Sequence, residues 1–165
     1  MKQYEQIRWQ INSFDTLSTH TLFHMLQLRQ DVFIVEQACI YNDIDEKDKQ
    51  ATHIVGWDDS QKTLCACLRI MYSQEDTSII SIGRVAVAKG YRREGVGKKL
   101  MQIALENIQQ VAAQSLIAQP VITLSAQQQL TDFYASLGFI IDSPPYDEDG
   151  IPHVRMVLNH QVHLQ

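Results

Sequence analysis

Cysteine is scarce in this chain. Cys39, Cys65 and Cys67 are an odd set, without the spacing of a disulfide framework or a complete metal-ligand group. Reduced thiols, no metal and a cytoplasmic location are the expectation. No run approaches the roughly 18 apolar residues of a membrane-spanning helix, and the opening MKQYEQIRWQ has no apolar signal core. No membrane partner is expected. Excess positive charge is also missing: 14 Lys and Arg against 19 Asp and Glu leave a formal charge of −5. That argues against a nucleic-acid partner, whose binding is driven by basic patches. Repeats and low-complexity linkers are absent too, so the 165 residues read as one domain, 1–165.

What is present is periodic. Ile7, Trp9 and Ile11 alternate as in a strand. Leu22, Met25, Leu26, Val32 and Phe33 are close to helical spacing, behind Ser18 as a candidate N-cap. Residues 42–50 read as a polar, acidic loop. Strands follow over 53–57 and 64–72 around a turn-prone Asp58-Asp59-Ser60, with Cys65 and Cys67 on one strand face. Residues 79–88 read as a third strand, Gly83 marking a bulge. The apolar row Leu100, Ile103, Ala104, Leu105, Ile108, Val111 predicts a long helix, and 121–124 a strand parallel to 79–88 through a right-handed crossover. A shorter helix over 128–137 stops at Gly138, a left-handed cap. Phe139–Ile141 and 153–158 complete a mixed α/β sheet around an irregular 142–152.

The sharpest feature is Arg92-Arg93-Glu94-Gly95-Val96-Gly97-Lys98, between a strand and a helix. Glycines let the backbone approach a ligand, and a helix start presents unpaired N–H groups and a dipole that favours an anion. Arg92, Arg93, Lys98 and Lys99 add positive side chains, so a pyrophosphate fits. The third glycine of a dinucleotide fingerprint and the Gly-Lys-Ser/Thr ending of a nucleotide-triphosphate loop are both lacking, which argues against hydride transfer and nucleotide hydrolysis.

Arg92-x-x-Gly95-x-Gly97 resembles the acetyl-CoA motif of the GNAT acetyltransferases. The approach Arg84-Val85-Ala86-Val87-Ala88 and the later Phe133-Tyr134-x-x-Leu137-Gly138-Phe139 extend the likeness in order. Val35-Glu36-Gln37-x-Cys39-x-Tyr41 and Tyr146-x-Glu148-Asp149-Gly150-Ile151-Pro152-His153 resemble the ElaA group within it. The resemblance implies a mixed, centrally splayed β-sheet flanked by helices, acetyl-CoA as co-substrate, a small-molecule or peptide amine acceptor, and a homodimer. It places the cofactor on Val85, Ala86 and Val87 and on Arg92, Arg93, Glu94, Gly95, Val96, Gly97 and Lys98.

Transfer to an amine needs a positioned thioester, a deprotonated nucleophile and a proton for the leaving thiolate. By resemblance, Tyr134 is the general acid; a phenol of pKa about 10 is protonated at neutral pH. Glu36, Asp45, Asp48, His53, Glu148 and His153 are candidates for the base, with Glu36 and His153 foremost. A water chain is the alternative. The acidic run 43–48 reads as a solvated loop that can steer a cationic amine. A nucleophilic Cys39 would need a basic partner such as His53; a buried thiol is the simpler role. Arg29-x-x-x-Phe33, Asp45-x-x-Asp48 and Arg69 resemble part of the acyl-homoserine-lactone synthase pattern, although the expected tryptophan is missing. A non-catalytic CoA-binding module is the remaining alternative.

Overall fold

The computed structural model describes residues 3–159. Its strands are β1 (Ile7–Ser13), β2 (Thr52–Asp58), β3 (Thr63–Tyr72), β4 (Ile79–Val87), β5 (Val121–Gln127), β6 (Phe139–Ile141), β7 (Tyr146–Glu148) and β8 (Ile151–Leu158). They form one sheet in the order β1-β2-β3-β4-β5-β8-β6, with β7 also on β8. Only β4 and β5 run parallel, through the crossover helix α2 (Val96–Gln114). Helix α1 (Thr19–Arg29) begins at Ser18, whose hydroxyl accepts the Thr21 N–H. It then widens into a π-helical turn, Gln30–Glu36, which carries Val32 and Phe33 past the regular helix. The five-residue α3 (Thr131–Ala135) ends near Gly138, whose φ of 93° suits a residue without Cβ.

Two cores sit on opposite faces of the sheet. Leu100, Met101, Ala104 and Ile108 of α2 pack with Ile80, Ile122, Leu124 and Met156 on one side. Met25 and Leu28 of α1 pack with Val55, Trp57 and Cys67 on the other. Cys65 and Cys67 fall in different cores, contrary to the expectation of a shared face. The β2–β3 register shifts at Gly56/Trp57, leaving Cys65 as an extra residue and flipping the alternation. A second irregularity interrupts β3–β4, where Cys67 pairs Ala86 and Arg69 pairs Gly83. The left-handed residue there is Arg84, at φ 54°, rather than Gly83. The segment 142–152 is also more ordered than expected: β7 and β8 form a hairpin turning at Asp149-Gly150, both left-handed.

α1 covers only the β2–β4 half of its face. On the same face beyond β5, Ser125, Arg155, Tyr146 and Glu148 are exposed. The parallel pairing of β4 with β5 ends at Ile82↔Leu124, after which the two strands diverge. That splay is the gap around which the candidate site is built.

Candidate active site

The turn at residues 92–98 runs from β4 into α2, as the sequence implied. Arg93 and Gly95 are both left-handed, at φ 65° and 85°. Gly95 is the N-cap of α2, and no side chain caps it, so the first N–H groups of a 19-residue helix stay open to an anion. Val96 is fully buried and pins the helix start. Arg93 and Lys98 are exposed beside it and make no ion pair among the described residues. A Cβ on Gly97 would meet Phe133 Cζ at 3.5 Å and Val87 Cγ2 at 3.6 Å, ordinary contacts. Packing within the protein therefore does not require glycine here, whereas a ligand lying on the turn would. The residues present fit a pyrophosphate.

Arg92 behaves differently from its neighbours. Its Nε donates to the Val87 carbonyl at 2.8 Å, and Nη1 and Nη2 donate to Glu36 at 2.5 and 2.8 Å. Both Glu36 oxygens are thus engaged in a bidentate pair, and the hydrogen bonds from Arg92 hold its carboxyl below the usual glutamate range. Glu36 begins a strap that crosses the splay. Gln127 of β5 donates to Gln37 at 3.0 Å, and Cys39 Sγ donates to the Asp149 carbonyl at 3.3 Å.

Tyr134 stands on the α2 side of the sheet, its ring 5.0 Å from Phe133 and 6.2 Å from Phe139. Phe133 in turn lies near Gly97 and Val87, so α3, the turn and the end of β4 meet. Burial pushes the Tyr134 phenol up to about 12. His153 stands on the opposite face, in register with Gln127 of β5 and Tyr146 of β7. Its Nδ1 lies 2.8 Å from the Ile151 carbonyl. A carbonyl only accepts, so Nδ1 carries the proton and Nε2 keeps its lone pair in the neutral ring.

The acidic run is not a solvated loop. Arg29, only 1% exposed, donates to Asp43 at 2.8 Å and to Asp48 at 2.7 Å. Arg69 donates to Asp45 at 2.6 Å and to Asp48 at 2.8 Å. Arg84 pairs with Asp43 at 2.7 Å and lies over the Tyr41 ring. Three guanidiniums thus meet three carboxylates, and Asp45 caps the short helix Glu46–Gln50. Burial alone would raise Asp48, but hydrogen bonds from Arg29 and Arg69 reverse this and bring it to about 2. Asp45, Asp48 and the lactone-synthase-like residues Arg29 and Arg69 therefore form a packed ion network. His53 joins its edge, buried with Nε2 2.8 Å from the Asp48 carbonyl, not beside Cys39. All three cysteines are buried, and burial raises Cys65 and Cys67 to about 12. Such thiols are poor nucleophiles.

Ser125 and Tyr146 are what sequence reasoning missed. Ser125 Oγ is 2.5 Å from the Tyr146 hydroxyl and donates to Glu148 at 2.7 Å. A serine closing an apolar strand gives no signal in sequence, and Tyr146 lies in the segment read as irregular.

The comparisons agree with this fold. An acetyltransferase (GNAT) domain profile matches residues 23–160. The Escherichia coli K12 protein ElaA is 42% identical over 152 residues, 91% of this chain and 95% of its own length. The crystal structure of Escherichia coli ElaA superposes with a TM-score of 0.83 at 39% identity, over 93% of this chain and 99% of that one. An acyl-CoA N-acyltransferase from Pseudomonas aeruginosa superposes at 0.80 with 34% identity, over 93% and 99%. No helix among the described residues is long and apolar enough to cross a membrane.

Proposed function

The chain belongs to the GNAT acetyltransferase family, and from that premise we propose that it moves an acetyl group from acetyl-CoA to a primary amine by direct attack in a ternary complex. The observation that carries this is the uncapped start of α2 behind the left-handed turn, opening beside the β4–β5 splay. Backbone groups from Gly95 to Lys98 hold the phosphates, with Arg93 and Lys98 in support. The β4 segment Val85, Ala86 and Val87, beyond its last pairing with β5, takes the pantetheine arm. Acetyl-CoA supplies the acyl group as a thioester whose thiolate leaves.

Tyr134 holds the proton that the thiolate needs, and its burial keeps that proton in place at neutral pH. Of the two foremost base candidates, Glu36 is engaged by Arg92, whereas His153 Nε2 is open. His153 therefore takes the proton of the acceptor ammonium. Arg92 serves the site chiefly by tying the strap to Val87. Buried thiols suit a reducing cytoplasm, and the family resemblance adds a homodimer.

Melting curves test the assignment. At 100 times its dissociation constant, acetyl-CoA stabilises by about 2.7 kcal/mol, about 5–10 °C for a chain of this size. NAD and ATP give no comparable shift. Gly97→Val removes the acetyl-CoA shift by filling the ligand's space, and Lys98→Ala only reduces it. Unchanged melting of the wild type in millimolar acetyl-CoA rejects the reading. An acceptor screen that detects free thiol then identifies the amine.

A further inference from the structure

Past the last β4–β5 pair, three strands present one open face. By register Ser125 and Gln127 of β5, His153 and Arg155 of β8, and Tyr146 and Glu148 of β7 share it. Ser125 has one proton and gives it to Glu148 Oε2, so Tyr146 donates to Ser125 Oγ. Glu148 Oε1, a remaining lone pair of Ser125 Oγ and His153 Nε2 are left without donors among the described residues. Three acceptors at the mouth of the splay match the three N–H donors of an ammonium. The charge agrees: Asp147, Glu148 and Asp149 pair with no cation among the described residues, and Arg155 is taken by Asp142 at 3.2 Å. A groove of about 540 Å³ between α1 and the segment around Tyr41 competes as an acceptor site. Its one carboxylate, Asp43, is already held by Arg29, Arg84 and Tyr41. It offers no free carboxylate to hold a cation.

We propose that Ser125, Tyr146 and Glu148 form the acceptor subsite, and that the acceptor is a cationic aliphatic amine without a carboxylate beside its nitrogen. The inference rests on the acyltransferase reading above and deepens it. Glu148 and Ser125 accept two ammonium N–H groups, and Tyr146 fixes the serine. The third proton passes to His153 Nε2, giving an imidazolium that keeps its Nδ1–H on the Ile151 carbonyl and an amine with a free lone pair. An α-carboxylate would be repelled by the hairpin acids.

Butylamine, 1,4-diaminobutane and norvaline share similar chain lengths and differ in charge. With acetyl-CoA, the wild type should favour the diamine over butylamine, and norvaline should show a KM at least about tenfold higher. Glu148→Gln should raise KM for both amines about ten- to hundredfold, the loss expected for a hydrogen bond to a charged group. Its kcat should stay within about threefold, its acetyl-CoA affinity by calorimetry should not change, and its discrimination against norvaline should shrink. Ser125→Ala should follow the same direction and carries the test if Glu148→Gln melts early. Unchanged KM in both variants, or norvaline used as readily as butylamine, overturns the subsite while leaving the acyltransferase reading intact. Failure of the wild type to bind acetyl-CoA, or to acetylate any amine, overturns both.

Discussion

Two regions of this molecule concentrate charge, and they differ in whether their hydrogen-bonding capacity is spent. Behind the strap, Arg29, Arg69 and Arg84 meet Asp43, Asp45 and Asp48, and most of the donors and acceptors face one another. On the open face of β5, β7 and β8, Ser125, Glu148 and His153 keep acceptors unused. The buried network leaves only Arg69 Nε and, at its edge, His53 Nδ1 without a partner among the described residues, and it holds the strap at the splay. An unsaturated one adds little stability and is free to meet a ligand. The same residue types thus do opposite work, and satisfaction rather than charge distinguishes them.

The largest expected effect breaks the saturated side. Asp48→Ala leaves two buried guanidiniums short of a partner, which typically costs about 3–5 kcal/mol. For a chain of this length that is about 6–20 °C in Tm. Glu148→Gln on the open face should leave Tm within about 2 °C. Acid sharpens the contrast. The folded-state pKa of Asp48 is depressed to about 2, so its stabilisation is present above the ordinary aspartate range and is lost as pH falls through about 2. Urea midpoints between pH 5 and pH 2 should drop for the wild type and more shallowly for Asp48→Asn. Equal Tm values for Asp48→Ala and Glu148→Gln would erase the distinction.

A smaller effect lies across the sheet at Tyr134, a buried group whose hydroxyl has no protein partner among the described residues. Tyr134→Phe keeps the ring packed on Phe133 and Phe139. Tm and acetyl-CoA affinity should hold. Turnover at saturating substrates should fall at least about tenfold, and general acids commonly contribute 10²–10⁴-fold. Full turnover removes Tyr134 from the chemistry, and a Tm loss matching the rate loss assigns it to the core.

How much of this was legible in sequence follows from where the signal is local. The turn at residues 92–98 is contiguous, its glycines and flanking basic residues marking a strand-to-helix junction, and α2 and β5 follow by period alone. The ion network is not local. Arg29, Arg69 and Arg84 lie far along the chain from residues 43–48, and a polar run carries no mark that it will be buried. Cys65 shows the limit of period-two reasoning, because one inserted residue reverses every later side chain. Tyr146-Asp147-Glu148 is exposed throughout and shows no alternation, so β7 and its contact with Ser125 emerge only when β8 brings them together.

The smallest expected effect tests the residue that stands between the two regions. Glu36 is about 41% exposed and bidentate to Arg92, itself about 35% exposed. An ion pair so placed is screened by solvent and usually contributes about 0.2–1 kcal/mol, so Glu36→Gln should lower Tm by no more than about 1–4 °C. The chemical expectation is equally small. A general base must have its lone pair free and its basicity near the working pH. Arg92 occupies both Glu36 oxygens and pulls the carboxyl below its usual range. Glu36→Gln should therefore keep kcat within about threefold, while a looser strap raises the acceptor KM. Reversing the pair, Glu36→Arg with Arg92→Glu, should recover part of that KM, which a purely local role for either residue would not allow. A hundredfold fall in kcat for Glu36→Gln, with acetyl-CoA affinity and Tm intact, would make Glu36 the base and move His153 out of that role.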